Sequence, residues 1–235
     1  MQNSVAIAAV IPAAGVGSRM DLTLPKQYLR IAGTTVLEHS VRAIAQDPRI
    51  GAVIVAIAAD DLRPQQLSFK LDIPIYFVTG GASRAASVAA GVAAAQQYGF
   101  KYVAVHDAAR PCLYADELAA VIDAGLTHPD GALLALPVAD TLKRSCGDDV
   151  EATVSREQLW RALTPQVFAS ARLLQALQQV GVDNPAITDE ASAIELTGGQ
   201  PRLVHGRQTN LKITQPGDER LAELFLQAAQ AATIA

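Results

Sequence analysis

Apolar residues run almost unbroken from Val5 to Ile11, with β-branched side chains at Val5, Ile7, Val10 and Ile11. A short run that is apolar at odd and even positions alike predicts a strand covered on both faces, as in a parallel sheet. It is expected to be the first and central strand, closed by Pro12, which has no N–H to give to a ladder. Gly51–Ala58, Ile75–Val78, Tyr102–Val105 and Ala132–Val138 carry the same signature. Between them the period lengthens. Thr34–Ala45 sets Val36, Leu37, Val41 and Ile44 at helical spacing and stops at Asp47-Pro48, Ser83–Gln97 reads as an Ala-rich helix, and Asp116–Gly125 as another. Strands alternating with helices predict an α/β fold of the doubly wound, Rossmann-like kind, with a mostly parallel central sheet and helices on both faces. Further on, Ala169–Val180 is a helix, Thr188-Asp189-Glu190 caps one reaching Leu196, Leu203-Val204 and Leu211–Thr214 are late strands, and Pro216–Ala232 is a closing amphipathic helix.

One stretch breaks the pattern. From Asp140 to Trp160 only Leu142, Val150 and Val154 interrupt a polar sequence, and Ser145-Cys146-Gly147-Asp148-Asp149 has turn chemistry. This predicts a hairpin arm, residues 139–160, protruding from a single domain that spans 1–235. A lone hairpin is marginal in water, so a partner surface is expected to hold it, and a second copy of the chain is the natural candidate. Trp160–Gln166 then returns to the body.

Composition narrows the function classes. The chain has 235 residues, half of them hydrophobic but only 5% aromatic, which suits helices packed on a sheet better than a β sandwich. Its net charge is −4, so no global basic field points to nucleic acid or to an anionic membrane, and any anion site must be local. The N-terminus lacks a basic region ahead of an apolar core and no apolar run approaches membrane-spanning length, so a cytoplasmic protein is expected. Cys112 and Cys146 show no C-x-x-C spacing, and the four histidines form no metal-ligand pattern.

The candidate chemistry begins where the first strand ends. Ala13-Ala14-Gly15-Val16-Gly17 is a loop of small residues whose backbone N–H groups can approach a phosphate closely. Arg19 and Lys26 add two cations. A dinucleotide fingerprint would need a third glycine or alanine where Met20 stands, and no G-x-x-x-x-G-K-[ST] occurs. A second polar cluster, His106-Asp107-Ala108-Ala109-Arg110-Pro111, falls at the carboxyl end of a strand, where open α/β sheets place ligands.

Eight motifs follow in order: V-I-P-A-A-G-V-G-S-R-M (Val10–Met20), P-K-Q-Y (Pro25–Tyr28), G-G-x-x-R-x-x-S-V (Gly80–Val88), H-D-A-A-R-P (His106–Pro111), D-T-L-K (Asp140–Lys143), L-T-P-Q (Leu163–Gln166), T-D-E-A (Thr188–Ala191) and N-L-K-I-T (Asn210–Thr214). In sequence and spacing, over nearly the whole chain, they resemble the 2-C-methyl-D-erythritol 4-phosphate cytidylyltransferases. The resemblance implies a nucleotidyltransferase fold and transfer of a cytidylyl group from CTP to methylerythritol phosphate with release of pyrophosphate, in the non-mevalonate route to isoprenoids. The attacking phosphate is already an anion, so no general base is needed. Two unit charges about 4 Å apart repel by about 4 kcal/mol at an effective dielectric of about 20, so fixed cations and a divalent metal are.

The resemblance assigns Arg19 and Lys26 to transition-state charge, with Arg156 and Lys212 positioning the attacking phosphate. It assigns Pro12, Ala13, Ala14, Gly15, Gly17, Ser18, Gly81, Ala82, Arg84, Ser87 and Ala108 to CTP, and Asp107, Arg110, Thr141, Thr164 and Thr188 to the polyol phosphate. Ala82 stands where such proteins often carry an acidic residue, which removes a side-chain contribution there. Taken singly, Arg156 and Lys212 would be surface charges, Thr141 and Thr164 strand or turn residues and Thr188 a helix cap; only their motifs say otherwise. His106 reads as a structural hydrogen-bonding residue. The cofactor implied is Mg²⁺ or another divalent cation, carried mainly by the CTP phosphates, with Asp107 as the candidate protein ligand. The arm is expected to reach over a homodimer partner and place Thr141 and Arg156 in its site. Three competing functions remain at this level: a cytidylyltransferase for another polyol phosphate such as ribitol 5-phosphate, a noncatalytic nucleotide-binding protein, and a nicotinamide-dependent dehydrogenase.

Overall fold

The computed structural model describes residues 6–15 and 24–234. β1 (Ile7–Pro12) lies inside a seven-stranded sheet, between β4 (Ile50–Ile57) and β6 (Tyr102–Val105), and is parallel to both. β5 (Ile75–Thr79) continues the sheet beyond β4, and β7 (Ala132–Pro137) pairs in parallel with the edge strand β11 (Arg202–His205). Between β6 and β7 runs β10 (Trp160–Ala169), antiparallel to both. The strand order is β11-β7-β10-β6-β1-β4-β5.

The sequence expectation of helices on both faces holds in the packing. Ile7, Ala9 and Ile11 of β1 face a core that contains Leu37, Val41 and Ile44 of α1 (Val36–Ile44) and Leu118, Val121 and Ile122 of α3 (Ala115–Thr127). Ala8 and Val10, on the opposite face, pack with Val88 and Val92 of α2 (Arg84–Gln97), Leu173 and Leu177 of α4 (Ser170–Val180) and Ile194 of α5 (Glu190–Leu196). This two-sided burial is why β1 could be apolar without alternation. A smaller cluster joins Ile31, Val36, Cys112 and Ile213 to Ala222 of α6 (Asp218–Ile234).

Three elements differ from expectation. The helix expected from Thr34 starts at Val36, because Thr35 caps it: its hydroxyl accepts from the Glu38 N–H and the Glu38 carboxylate takes the Thr35 N–H in return. Thr34 and Thr35 instead form β3 (Thr34–Thr35), paired with β2 (Arg30–Ile31). Trp160–Gln166, expected only as a return to the body, opens a ten-residue strand in mid-sheet, its register shifting between Ala162 and Gln166 around Thr164-Pro165. Leu211–Thr214, expected as a strand, joins no ladder; the Ile213 N–H donates instead to the Ala109 carbonyl at 2.9 Å. The arm is a hairpin as expected, β8 (Leu142–Cys146) against β9 (Asp149–Val154) across a Gly147-Asp148 turn, with Gly147 at a φ of 60°. Its side chains are exposed apart from half-buried Leu142 and Val154.

Candidate active site

At the carboxyl end of β1 the backbone turns over its neighbour, the Ala13 N–H donating to the Ala56 carbonyl at 2.7 Å. The Gln27 amide then clamps the turn, donating to the carbonyls of Ala13 at 2.9 Å and Gly15 at 3.1 Å. Gln27 sits in a short 3₁₀ turn, Lys26–Tyr28, that Tyr28 anchors: its hydroxyl donates to Asp61 at 2.5 Å and the Arg63 guanidinium lies over its ring. Lys26 is thereby held beside the glycine loop, with its ammonium donating to the Ile213 carbonyl at 2.9 Å.

The second wall comes from the loop after β5. A Cβ on Gly80 would stand 2.7 Å from that of Ala14 and 2.8 Å from Ser87 Oγ, and one on Gly81 would stand 2.3 Å from Ala86 Cβ. Glycine is therefore required by close approach and not by turn geometry. The Gly81 N–H donates to Ser87 Oγ at 3.2 Å, and Ser83 caps α2 by accepting from the Ala86 N–H at 3.0 Å. The N-terminus of a fourteen-residue helix thus opens onto the cavity, favouring negative charge there.

The floor is built at the end of β6 around Asp107. Its Oδ1 accepts from Arg84 Nε at 3.1 Å, and its Oδ2 meets Lys212 Nζ at 2.9 Å and Arg110 Nε at 3.3 Å. Arg84 also forks onto Glu190, Nη1 to Oε1 at 2.6 Å and Nη2 to Oε2 at 3.2 Å. Three cations meet two carboxylates, leaving one positive charge in excess. Burial would raise the Asp107 carboxyl, but the charges of Arg84, Lys212 and Arg110 override it and hold Asp107 far below the ordinary carboxylate range. Burial lowers Arg110 in spite of Asp107, whereas at Arg84 the two carboxylates outweigh burial and raise it.

Beneath Asp107 lies a directional chain. His106 Nε2 pairs with the Arg110 carbonyl at 2.9 Å and Nδ1 with Thr164 Oγ1 at 3.0 Å. A carbonyl only accepts, so Nε2 carries the proton and Nδ1 accepts from the Thr164 hydroxyl, which in turn accepts from the Asp107 N–H at 3.0 Å. Burial pushes the His106 imidazole down to about 4, in keeping with this neutral form. Asn210 ties the C-terminal segment to the same place, donating to the Thr164 carbonyl at 2.8 Å while its own carbonyl accepts from Arg110 Nη1 at 2.6 Å.

These walls enclose a cavity of about 400 Å³. Of the residues singled out in the sequence, Pro12, Ala13, Ala14, Gly15, Gly81, Ala82, Arg84, Ser87, Asp107, Ala108, Lys26 and Lys212 line it. Arg110 and Thr164 lie just behind Asp107. Gly17, Ser18 and Arg19 are outside the described residues. Thr141 and Arg156 are exposed on the arm, where the Arg156 guanidinium contacts the Ala139 carbonyl, and Thr188 is exposed ahead of α5, its N–H on Ser192 Oγ at 3.0 Å. The cap of α5 is Asp189, not Thr188. Sequence reasoning missed Gln27, Thr214 and Glu190, although each stood inside a quoted motif; Gln27 and Thr214 carry no charge signal, and an acidic residue in the first turn of a helix, as Glu190 is, already has a local explanation. Among the described residues no three His, Cys, Asp or Glu side chains gather as a metal cage. Asp107 is the one carboxylate among the described lining residues, and both its oxygens already face cations.

The profile of the 2-C-methyl-D-erythritol 4-phosphate cytidylyltransferase family matches residues 7–228. The chain belongs to that family. A cytidylyltransferase of this name from Idiomarina loihiensis is 50% identical over 220 residues, 89% of this chain and 87% of that protein. One from Shewanella amazonensis is 47% identical over 229 residues, 97% and 96% of the two chains. Among solved structures, a 4-diphosphocytidyl-2C-methyl-D-erythritol synthase superposes with a TM-score of 0.82 at 36% identity over 94% of this chain and 98% of its own. The Thermus thermophilus cytidylyltransferase gives 0.79 at 32%, covering 94% and 99%. Membership of this family favours methylerythritol phosphate over ribitol 5-phosphate as the acceptor and disfavours the noncatalytic and dehydrogenase alternatives.

Proposed function

We propose that the protein transfers the cytidylyl group of CTP to 2-C-methyl-D-erythritol 4-phosphate, giving 4-diphosphocytidyl-2-C-methyl-D-erythritol and pyrophosphate, a step in isoprenoid precursor synthesis. The observation that carries this is the placement of Lys26 and Lys212 on one cavity with the Ala13–Gly15 turn. An oxygen of the polyol phosphate bonds to the α-phosphorus of CTP while the bond from that phosphorus to the β-phosphate oxygen breaks, and the electron pair leaves on pyrophosphate. Lys26, beside the glycine loop, stabilises charge on the α-phosphoryl group and its leaving oxygens, with Arg19 assigned to the same task. Lys212 and Arg156 hold the attacking phosphate, and Asp107 accepts from polyol hydroxyls with Arg110, Thr141, Thr164 and Thr188 around it. The base lies against Ala82, Gly81 and Ser87, and the approach of Gly80 to Ala14 narrows that pocket.

The described residues do not form a cage for a resident metal. A divalent cation, read here as Mg²⁺, fits this site only as a passenger on the triphosphate, where it would neutralise phosphate charge. Thr141 and Arg156 are assigned to the site of a second protomer, since they lie on an exposed arm and line no part of their own chain's cavity. The working unit is then a homodimer held through residues 139–160 of a single-domain chain. No described helix is long and apolar enough to cross a membrane, and a cytoplasmic location is proposed.

The test is phosphorus NMR of the protein incubated with CTP, methylerythritol phosphate and Mg²⁺. Paired resonances of a new diphosphate diester growing in step with pyrophosphate support the proposal. Unchanged CTP, or hydrolysis to CMP without the diester, contradicts it.

A further inference from the structure

Glu190 is buried to 1% exposure and lines no part of the cavity, yet it holds both terminal nitrogens of Arg84. Arg84 is the first residue of α2, immediately after the loop that carries Gly81, Ala82 and Ser83. The remaining face of its guanidinium, Nε and the shared Nη2, rests on Asp107 Oδ1 at 3.1 and 3.0 Å. One guanidinium therefore joins the wall of the nucleotide side to the carboxylate on the side of the second substrate, and the anchor that fixes its plane is Glu190. The anchor is itself well set. It begins α5 directly after the Asp189 cap, whose carboxylate also takes the amide of Gln166 at 2.8 Å, and Gln166 Oε1 accepts from the Ala191 N–H at 2.8 Å.

We infer that Glu190 is a positioning residue for the second substrate: by holding Arg84 on Asp107 Oδ1 it keeps Oδ2 for Lys212 and Arg110, and so sets the carboxylate plane that meets the polyol phosphate. This rests on the function proposed above. A bidentate fork fixes both direction and distance. With only one carboxylate left, the Arg84 fork would close on both Asp107 oxygens and compete with Lys212 for Oδ2. Lys212 would then lose its station although nothing it touches had been changed.

The experiment compares Glu190→Gln, Arg84→Gln and the double variant with the parent protein, measuring CTP dissociation constants by calorimetry and steady-state constants with methylerythritol phosphate. Glu190→Gln is expected to raise the KM for methylerythritol phosphate about tenfold or more while CTP affinity stays within about twofold. The double variant, which leaves no unpaired buried charge, is expected to fold and to show the KM defect of Arg84→Gln alone, since Glu190 acts only through Arg84. An unchanged KM in Glu190→Gln, equal losses of CTP affinity and KM, or multiplying defects in the double variant would overturn the inference. If Glu190→Gln does not fold, the comparison of Arg84→Gln with the double variant decides it on the same criterion. A parent protein that turns over normally beside an unaffected variant sinks this inference alone, whereas a parent silent with methylerythritol phosphate sinks the proposed function and the inference with it.

Discussion

Lys26 donates to the carbonyl of Ile213 at 2.9 Å, and the N–H of the same Ile213 donates to Ala109. A turn near the N-terminus, the C-terminal segment bearing Lys212 and the strand end bearing Asp107 are thus joined at one residue. The backbone groups of Ile213 are spent on the site, and the N–H of Thr214 on Asp218, instead of on a ladder. Lys26→Ala should lower kcat by about 10²-fold or more, the scale of losing one preorganised donor to a transition state, with a smaller change in CTP affinity. Stopped-flow rates beside calorimetric binding check this, and equal losses in both would remove Lys26 from the transition state.

Gln27 gives a separable expectation. It clamps Ala13 and Gly15 from behind the loop and adds no charge. Gln27→Ala leaves two carbonyls without this donor and should cost about 1–2 kcal/mol of stability, while CTP binding weakens because the loop is no longer preformed. Urea denaturation and calorimetry read the two effects, and unaltered CTP affinity would show that the loop keeps its shape unaided.

The glycine pair after β5 tests the packing claim. Gly80→Ala places a methyl 2.7 Å from the Ala14 methyl and 2.8 Å from Ser87 Oγ, so it should destabilise the fold by about 1–3 kcal/mol and weaken CTP binding. At Gly15 no described residue lies within 4 Å of the added carbon, so Gly15→Ala should leave stability nearly unchanged. Equal midpoints for the two variants in chemical denaturation would refute this contrast.

His106 makes a prediction about pH. Its imidazole is pushed down to about 4 by burial, from an ordinary 6.5. Between those values the unfolded chain binds more protons than the folded one, so stability is complete above about pH 6.5 and falls as the pH drops toward 4. The contribution of this residue is about 3 kcal/mol, from 1.36 kcal/mol per unit of pKa. His106→Gln should be less stable than the parent at pH 7 and should show a flatter pH dependence between pH 4 and 6.5. Parallel curves over that window would mean that His106 titrates alike in both states.

Much of this architecture was legible in the chain. β1, α2 and β6 announce themselves because each is buried on the face its period requires, Asp107 stands at the carboxyl end of a strand, where open α/β sheets place ligands, and Lys212 is picked out by its motif alone. β10 escaped because Pro165 and the polar Thr164 and Gln166 interrupt its apolar pattern. Those polar groups are satisfied by tertiary partners, Thr164 by His106 and Asp107 and Gln166 by Asp189 and Ala191, which no local period reveals. Glu190 escaped for the same reason: at a helix start an acidic residue already has a sufficient explanation. Thr188 is marked as a substrate group by its motif alone, and its side chain is exposed ahead of α5.

The arm calls for a mixed-dimer assay. If the arm crosses between two copies as proposed, Lys26→Ala and Arg156→Ala chains, each impaired alone, should regain activity when unfolded together and refolded, because one of the two sites then has an intact Lys26 and an intact Arg156 from different chains. No recovery would mean that each site is completed within one chain.

The most direct measurement is pyrophosphate release by the purified protein, with Mg²⁺, for each of the four nucleoside triphosphates paired with methylerythritol phosphate or with ribitol 5-phosphate. Release confined to CTP with methylerythritol phosphate is the predicted result. Release with every triphosphate, or with ribitol 5-phosphate in preference, would contradict the base pocket at Gly81–Ala82 or the assignment of Asp107 and Lys212 to methylerythritol phosphate.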